Sequence, residues 1–178
     1  MKKIILIIIF FLFQIVVIAE QDKEIKGKKT MSEEANFIAL SPEDEELNNT
    51  ILEAQNNIKW FKQAYKDTKF EDAMFMIKAG FRDTNSEEEL IAHFWLFVLG
   101  IEEDGIYCVT DKIPEEFGGL ESKQRLFLKD EYIEDWSIYT EGHLYGGYST
   151  RYLRSLRSDD GKKQFDTEMG ITVYEKLP

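Results

Sequence analysis

Residues 75–81 read FMIKAGF and residues 91–101 read IAHFWLFVLGI, and these two segments decide the fold class. In the first, apolar residues alternate with other residue types, which is the spacing of a β-strand that turns one face to the core. The second is almost wholly apolar and predicts another strand, separated from the first by a polar turn. A third strand is predicted at residues 105–111, because the dipeptide Asp104-Gly105 favours a tight hairpin with positive φ.

Downstream of these strands, the pattern continues as short elements that glycine and proline residues separate. In order, the predicted elements are a strand at 124–129, a strand or 3₁₀ turn at 131–140, a turn at Gly146-Gly147, a short helix from Ser149 to about Arg157, and an edge strand at 170–174. A run of strands without long helices between them predicts an antiparallel sheet rather than a wound parallel one.

Upstream of the strands, one long amphipathic helix is predicted. Ser41 followed by Pro42 supplies an N-cap and a first-turn proline, and acidic residues come directly after them. Apolar residues then recur at steps of three and four over about five turns; they are Leu47, Ile51, Ala54, Ile58, Phe61 and Tyr65. The predicted fold is therefore α+β, with a long N-terminal amphipathic helix packed on a curved antiparallel sheet of about five strands and a short C-terminal helix.

The first nineteen residues have the pattern of a secretory signal peptide. Lys2 and Lys3 precede an apolar run at residues 4–18, and the residues that end at Ala19 suit cleavage after it. The run is shorter than the roughly 20 apolar residues that a spanning helix needs. The chain is therefore predicted to be exported, to the periplasm or outside the cell. The alternative is an uncleaved segment that anchors it in the inner membrane.

The charge of the chain argues against one class of function. Its 178 residues carry 34 Asp and Glu against 22 Lys and Arg, which gives a net charge of −12. A nucleic-acid-binding protein needs a basic surface that neutralises phosphates, so nucleic acid is not an expected partner. One Cys and two His without ligand spacing predict no disulfide, no metal site and no cofactor. Cys108 lies among apolar residues and is expected to be buried and inert.

Removal of the signal peptide would leave a chain that is long enough for one domain with a sizeable core. Residues 20–40 are polar, alternate in charge and show no sustained period, which predicts a flexible leader. The α+β domain is predicted at residues 41–160. Residues 161–178 are weakly patterned and are predicted to form a C-terminal tail or an edge strand.

Four short motifs occur in an order that resembles a known bacterial family. They are Met76–Phe81 (MIKAGF), His93–Leu96 (HFWL), Ile133–Trp136 (IEDW) and Gly146–Arg151 (GGYSTR). Together they resemble the YegJ-like family, known as domain of unknown function 2314, over residues 43–157. The resemblance supports the α+β fold, and it implies no reaction because the family has no established one.

His93 and Trp95 form the first candidate site, because residues two apart project from the same side of a strand. In a binding protein they would place a polar group beside an aromatic platform in a ligand groove. The alternative, which the usual burial of these residue types favours, places the His at a rim of the sheet and the Trp in the core.

Asp135 and Trp136 form the second candidate site. A carboxyl group in an apolar setting has a raised pKa and can act as a general acid. The alternative, which is the more common arrangement, is an Asp that accepts backbone N–H bonds in a turn while the Trp packs below it.

Gly146, Gly147 and Arg151 form the third candidate site. Glycines before a helix N-terminus leave N–H groups that can bind an anion, and the Arg would add a two-pronged contact. The alternative, which capping preferences favour, is a tight turn with Ser149 as the N-cap and Arg151 paired with an acid such as Asp135.

These features favour an exported, non-catalytic binding module of the cell envelope whose partner is a protein or a small ligand. No catalytic residue is predicted, because neither a triad nor a pair of catalytic carboxylates is recognisable. An acidic surface steers basic partners. The alternative is a small periplasmic hydrolase or ligand-modifying enzyme with His93, Asp135 and Arg151 around one cleft, which requires that the three side chains converge.

Overall fold

The computed structural model describes residues 44–87 and 90–176, together with the backbone of residues 17–18. Their strands form one eight-stranded sheet in the order β5-β4-β3-β2-β6-β7-β8, with β1 paired to β3. The strands are β1 (Val17–Ile18), β2 (Met74–Arg82), β3 (Ile91–Ile101), β4 (Gly105–Val109), β5 (Arg125–Lys129), β6 (Asp135–Thr140), β7 (His143–Gly146) and β8 (Val173–Tyr174).

The prediction of an antiparallel sheet of about five strands is wrong in number and in direction. Strands β2 to β6 and β8 lie at segments that were predicted as strands. Strands β1 and β7 were not predicted, because two and four residues are too few for a period to show. The sheet is mixed, because β8 runs parallel to β7 while the other pairs are antiparallel. The parallel pair arises because two helices carry the chain back between β7 and β8.

The predicted long N-terminal helix is two helices, α1 (Glu45–Asn56) and α2 (Ile58–Ala64). They are separated at Asn57, which has φ −103° and ψ 7° and whose side-chain Nδ2 donates to the carbonyl of Glu53 at 3.0 Å. An Asn side chain that bonds nearby backbone competes with the helical pattern, which explains the break. The helix begins after Asp44, whose carboxylate accepts from the N–H of Leu47 (3.1 Å). The predicted cap Ser41 lies outside the described residues.

The structure has two C-terminal helices where one was predicted. The predicted helix at 149–157 corresponds to α3 (Tyr148–Ser155), and α4 (Asp159–Met169) is an additional helix. The hydroxyl of Ser158 caps α4 by accepting from the N–H of Gly161 (3.2 Å), and Gly170 ends it with φ 66°. Phe165 is the one buried residue of α4. The cap residues are visible in the sequence, but the apolar period that would have predicted this helix is absent.

Helices α1 and α2 pack against one face of the sheet, which we call the helix face. Phe61 and Trp136 are fully buried there, and the indole Nε1 of Trp136 donates to the carbonyl of Ala54 at 2.9 Å. Cys108 lies in the same core, where burial raises the pKa of its thiol to about 11. The thiol is therefore protonated and inert, as its apolar neighbours predicted.

The predicted signal peptide (1–19) and flexible leader (20–40) lie outside the described residues, except for the two residues of β1. Within the described ranges, no helix has both the length and the apolar composition that crossing a membrane requires. Export and anchoring both stay predictions.

Candidate functional site

The sheet face opposite α1 and α2, which we call the outer face, holds several of the predicted site residues. Lys78 of β2 pairs with Trp95 of β3 on one side and with Asp135 of β6 on the other. Gly80, the next residue on that face of β2, pairs with His93. Because directly paired residues share a face, His93, Trp95 and Asp135 surround β2 on the outer face.

Asp135 is fully buried, and its carboxylate accepts four hydrogen bonds. Oδ1 accepts from the N–H groups of Trp136 (2.8 Å) and Tyr148 (3.1 Å). Oδ2 accepts from the N–H (2.8 Å) and the hydroxyl (2.6 Å) of Ser149. Tyr148 and Ser149 open α3, so Asp135 caps that helix from a neighbouring strand. The geometry favours the structural alternative for this residue.

The electrostatics of Asp135 combine opposing influences. Burial raises the pKa of its carboxyl, while hydrogen bonds from Ser149 and the positive charge of Lys78 act in the other direction. The ammonium of Lys78 also lies 3.4 Å from the hydroxyl of Ser149, the group that donates to Oδ2 of Asp135. Both carboxyl oxygens are used by groups of the protein itself, which leaves neither aimed at a substrate.

Gly146 and Gly147 form the turn into α3, and both have positive φ, at 66° and 65°. The N-cap of α3 is Gly147, so the predicted cap Ser149 lies inside the first turn. The N–H of Gly147 donates to the carbonyl of Trp136 (2.7 Å), and the next two amides donate to Asp135. The amides that an anion would need are therefore already bonded within the protein.

Arg151 is also engaged by the fold. Its guanidinium donates to two carbonyl groups of β7, at 2.7 and 3.0 Å, and to the carbonyl of Glu175 at 2.8 Å. It also lies over the ring of Tyr174, 5.3 Å from the centroid. The sequence favoured a pair with an acid such as Asp135, but the guanidinium donates to backbone carbonyl groups instead. These bonds connect α3 with β7 and with the segment after β8.

Arg154, one turn along α3, joins α3 to α4. Its guanidinium makes two parallel contacts of 2.6 Å with the carboxylate of Asp166. The hydroxyl of Tyr174 donates to the same carboxylate at 2.7 Å. This bidentate pair therefore connects both C-terminal helices with β8.

Replacement of Asp166 by Asn is expected to lower the free energy of unfolding by about 1 kcal/mol at pH 7, because the partly exposed bidentate pair is lost. Arg154 holds the pKa of the Asp166 carboxyl below its ordinary value. The stabilisation is therefore present above about pH 4 and is lost as pH falls through the folded-state pKa. Urea denaturation of both proteins across this range should give curves that converge at acidic pH. A difference that stays constant with pH would contradict the assignment.

His93 is held by a carboxylate neighbour. Its Nδ1 lies 2.5 Å from Oε2 of Glu134, and the side chains are 15% and 22% exposed. Gly80 makes room for the pair, since a Cβ there would lie 2.9 Å from Oε1 of Glu134. The other ring nitrogen, Nε2, is buried without a hydrogen-bond partner. Trp95 is only half-buried on the outer face, not in the core.

The candidates therefore do not form one cleft. The imidazole of His93 contacts Glu134, and both carboxyl oxygens of Asp135 cap α3. The guanidinium of Arg151 bonds backbone carbonyl groups, and Trp136 lies in the core of the helix face. Within the described ranges, no three His, Cys, Asp or Glu side chains come together as metal ligands.

Exposed aromatic residues lie elsewhere on the outer face, on β4 and β5. Tyr107 and Phe127 are directly paired, are 49% and 41% exposed, and have ring centroids 4.9 Å apart. The Phe127 ring lies close to the backbone of β4 at Gly105, where a Cβ would be only 2.5 Å from the Cζ atom of Phe127. Arg125 and Lys129, both exposed, flank Phe127 along β5. We call Tyr107, Arg125, Phe127 and Lys129 the β5 surface.

Sequence reasoning missed the β5 surface and the Glu134 partner of His93. The signal for the first is RLFLK at residues 125–129, in which basic and aromatic residues alternate with leucine. That pattern marks one exposed face of a strand, but it does not reveal that the strand lies at an edge of the sheet.

A family model described as "Uncharacterized protein conserved in bacteria (DUF2314)" matches residues 44–173. The chain is also 24% identical over 96 residues to the putative ankyrin repeat protein NMB1133/NMB1171 of Neisseria meningitidis serogroup B (strain ATCC BAA-335 / MC58). That match covers 54% of this chain and 38% of the relative, so it spans well under half of that protein. No solved structure matches the chain significantly.

Proposed function

This chain belongs to the DUF2314 family of uncharacterised bacterial proteins, and from that premise we propose that it is a non-catalytic binding module. The four motifs that resembled this family predicted the membership; the narrower YegJ-like assignment stays a prediction. One observation carries the proposal. The side chains suited to catalysis are used to hold the fold together, while an aromatic pair on the outer face is left exposed.

An enzyme built from His93, Asp135 and Arg151 would need their polar atoms to meet around a reacting group. The four bonds that Asp135 accepts and the three that Arg151 donates all join parts of this chain. The free nitrogen of His93 is buried. These engagements support a binding role over the enzyme alternative.

The β5 surface has the composition of a binding site. Tyr, Phe and Arg are enriched in protein interfaces, and aromatic anchors contribute a large share of binding energy. The ring of Phe127 packs against the ring of Tyr107 and against Gly105. Because these contacts already restrict the two side chains, little side-chain conformational entropy is lost on binding. The surface thus offers a rigid apolar centre with basic residues at its ends.

The proposed place of action is the cell envelope, outside the cytoplasm. What supports it is the N-terminal pattern of two lysines, an apolar run and Ala19. An anchored form in the inner membrane is the alternative. The mass of the chain recovered from cells distinguishes the two, because export with cleavage removes residues 1–19.

Capture from envelope extract by the immobilised full chain tests the binding proposal. We expect a saturable interaction that the double variant Tyr107→Ser/Phe127→Ser weakens by about tenfold or more. Leu52→Ser is the matched control, because Leu52 is also an exposed apolar residue (56%) but lies on α1. Equal capture by the double variant and the wild type would overturn the proposal, as would a turnover activity that His93→Ala abolishes.

A further inference from the structure

Strand β5 ends the sheet, with β4 as its one neighbour among the described strands. The N–H of Thr110 donates to the carbonyl of Gln124 (3.0 Å) before the strand, and the N–H of Asp130 donates to the carbonyl of Asp104 (3.1 Å) after it. Hydrogen-bonded pairs alternate along an antiparallel ladder, so the even-numbered residues of this segment face β4. The backbone groups of residues 125, 127 and 129 therefore point away from β4, toward the free edge.

The same three residues project their side chains from the outer face, and all three are exposed. Phe127 lies at the centre, and Arg125 and Lys129 lie two residues to either side. Lys129 makes one contact of 3.9 Å with Glu131, in which both side chains are mostly exposed. Such a contact is weak, so the ammonium remains available to a partner.

The charges of the β5 surface disfavour a second copy of this chain as the occupant. If two β5 strands paired antiparallel about Phe127, Arg125 of each copy would face Lys129 of the other. Like charges directly opposite each other destabilise a strand pair, and basic residues on edge strands protect against self-pairing. The two exposed cations make this edge a basic exception to the acidic character of the chain, and they suit carboxylates at the same spacing.

We propose that β5 receives an extended acidic segment of another protein, which adds to the sheet as an antiparallel strand. The segment carries an apolar residue opposite Phe127 and carboxylates opposite Arg125 and Lys129. Backbone bonds to residues 125, 127 and 129 supply affinity, and the side-chain pairs supply specificity. The inference rests on the proposed binding function and names its partner.

Synthetic peptides test the pairing on the full chain, with fluorescence anisotropy as the measurement. The probe is Ser-Glu-Val-Leu-Val-Glu-Ser, and its charge-reversed counterpart has Lys in place of both Glu. In the proposed register, the N–H of the central Leu faces β5 and those of the two Val face away. N-methylation of Leu is therefore expected to weaken binding by about tenfold or more, and N-methylation of the first Val should leave it unchanged.

The protein side is tested by the double variant Arg125→Glu/Lys129→Glu. Both residues are exposed, so its thermal midpoint should stay close to that of the wild type. We expect the wild type to prefer the Glu peptide over the Lys peptide by about tenfold, and the double variant to reverse this preference. Reversal is a readout that a purely structural role of the two cations would not produce.

Equal affinity for both peptides, or full affinity for the Leu-methylated peptide, would overturn the inference. A wild-type dimer in sedimentation that Phe127→Ser dissolves would also overturn it, by assigning the edge to a second copy. If neither peptide binds but capture from extract still depends on Tyr107 and Phe127, the strand-addition inference is wrong and the proposed binding function stands. If capture is insensitive as well, both proposals are wrong.

Discussion

Replacement of Asp135 by alanine is expected to lower the free energy of unfolding by about 3–5 kcal/mol. The change leaves the N–H groups of Trp136, Tyr148 and Ser149 without their acceptor in a buried site. It also leaves the buried hydroxyl of Ser149 without its acceptor and opens a cavity. Urea denaturation followed by tryptophan fluorescence measures the loss.

The matched control is Ser149→Ala, which removes one of the four bonds and keeps the carboxylate. Its expected loss is about 1 kcal/mol. If Asp135→Ala costs no more than this control, the carboxylate does not hold α3 in place. A stable Asp135→Ala protein that lost a catalytic activity would restore the general-acid hypothesis.

The pH dependence of the Asp135 contribution has a definite sign. Burial raises the pKa of this carboxyl in the folded state above its unfolded value of about 3.9. Its stabilising contribution is therefore fully present below about pH 4 and is lost as pH rises through the folded-state pKa. The difference in unfolding free energy between wild type and Asp135→Asn should thus shrink as pH rises toward neutrality. A difference that grows with pH would contradict the direction.

Replacement of Gly146 by alanine is the second large effect, with an expected loss of about 3–5 kcal/mol in the free energy of unfolding. A Cβ at this position would overlap the indole ring of Trp136 and would lie 2.5 Å from its carbonyl oxygen. Trp136 is fully buried against α1, so neither group can move away cheaply. The positive φ of 66° adds strain for any residue with a Cβ.

Gly147→Ala is the matched control for this effect. It has nearly the same φ, 65°, but its Cβ would meet the end of the Leu144 side chain at 3.0 Å, which can rotate. The expected loss is about 1–2 kcal/mol, from backbone strain alone. Thermal or urea denaturation of both variants compares them directly. Equal losses would show that contact with Trp136 is not what requires glycine at position 146.

The sequence predicted the elements whose signal is local. Alternation located β2, and a continuous apolar run located β3. It placed an edge strand at residues 170–174, where β8 lies, but it did not reveal that β8 pairs in parallel with β7 after two helices have brought the chain back. It also joined α1 and α2, because their apolar stripe continues across Asn57 and the competing side-chain bond leaves that stripe unchanged.

The site was less predictable than the fold. The capping role of Asp135 was favoured from local chemistry, but its partners lie 13 and 14 residues away at the start of α3. Arg151 was expected to meet an acid, whereas its guanidinium bonds carbonyl groups of β7 and of the residue after β8. The β5 surface depends on strand order, which is a property of the whole sheet and not of residues 125–129 alone.

Amide hydrogen exchange along β5 tests the central claim most directly, namely that this free edge is the binding surface. In the free protein, the amides of residues 125, 127 and 129 should exchange rapidly, while those of Leu126 and Leu128, which bond to β4, exchange slowly. With saturating Glu peptide, the three fast amides should become protected, and the Leu-methylated peptide should not protect them. Slow exchange of all the amides of residues 125–129 in the free protein would contradict the claim. So would a Glu peptide that protects the amides of His93 and Trp95 and leaves exchange along β5 unchanged.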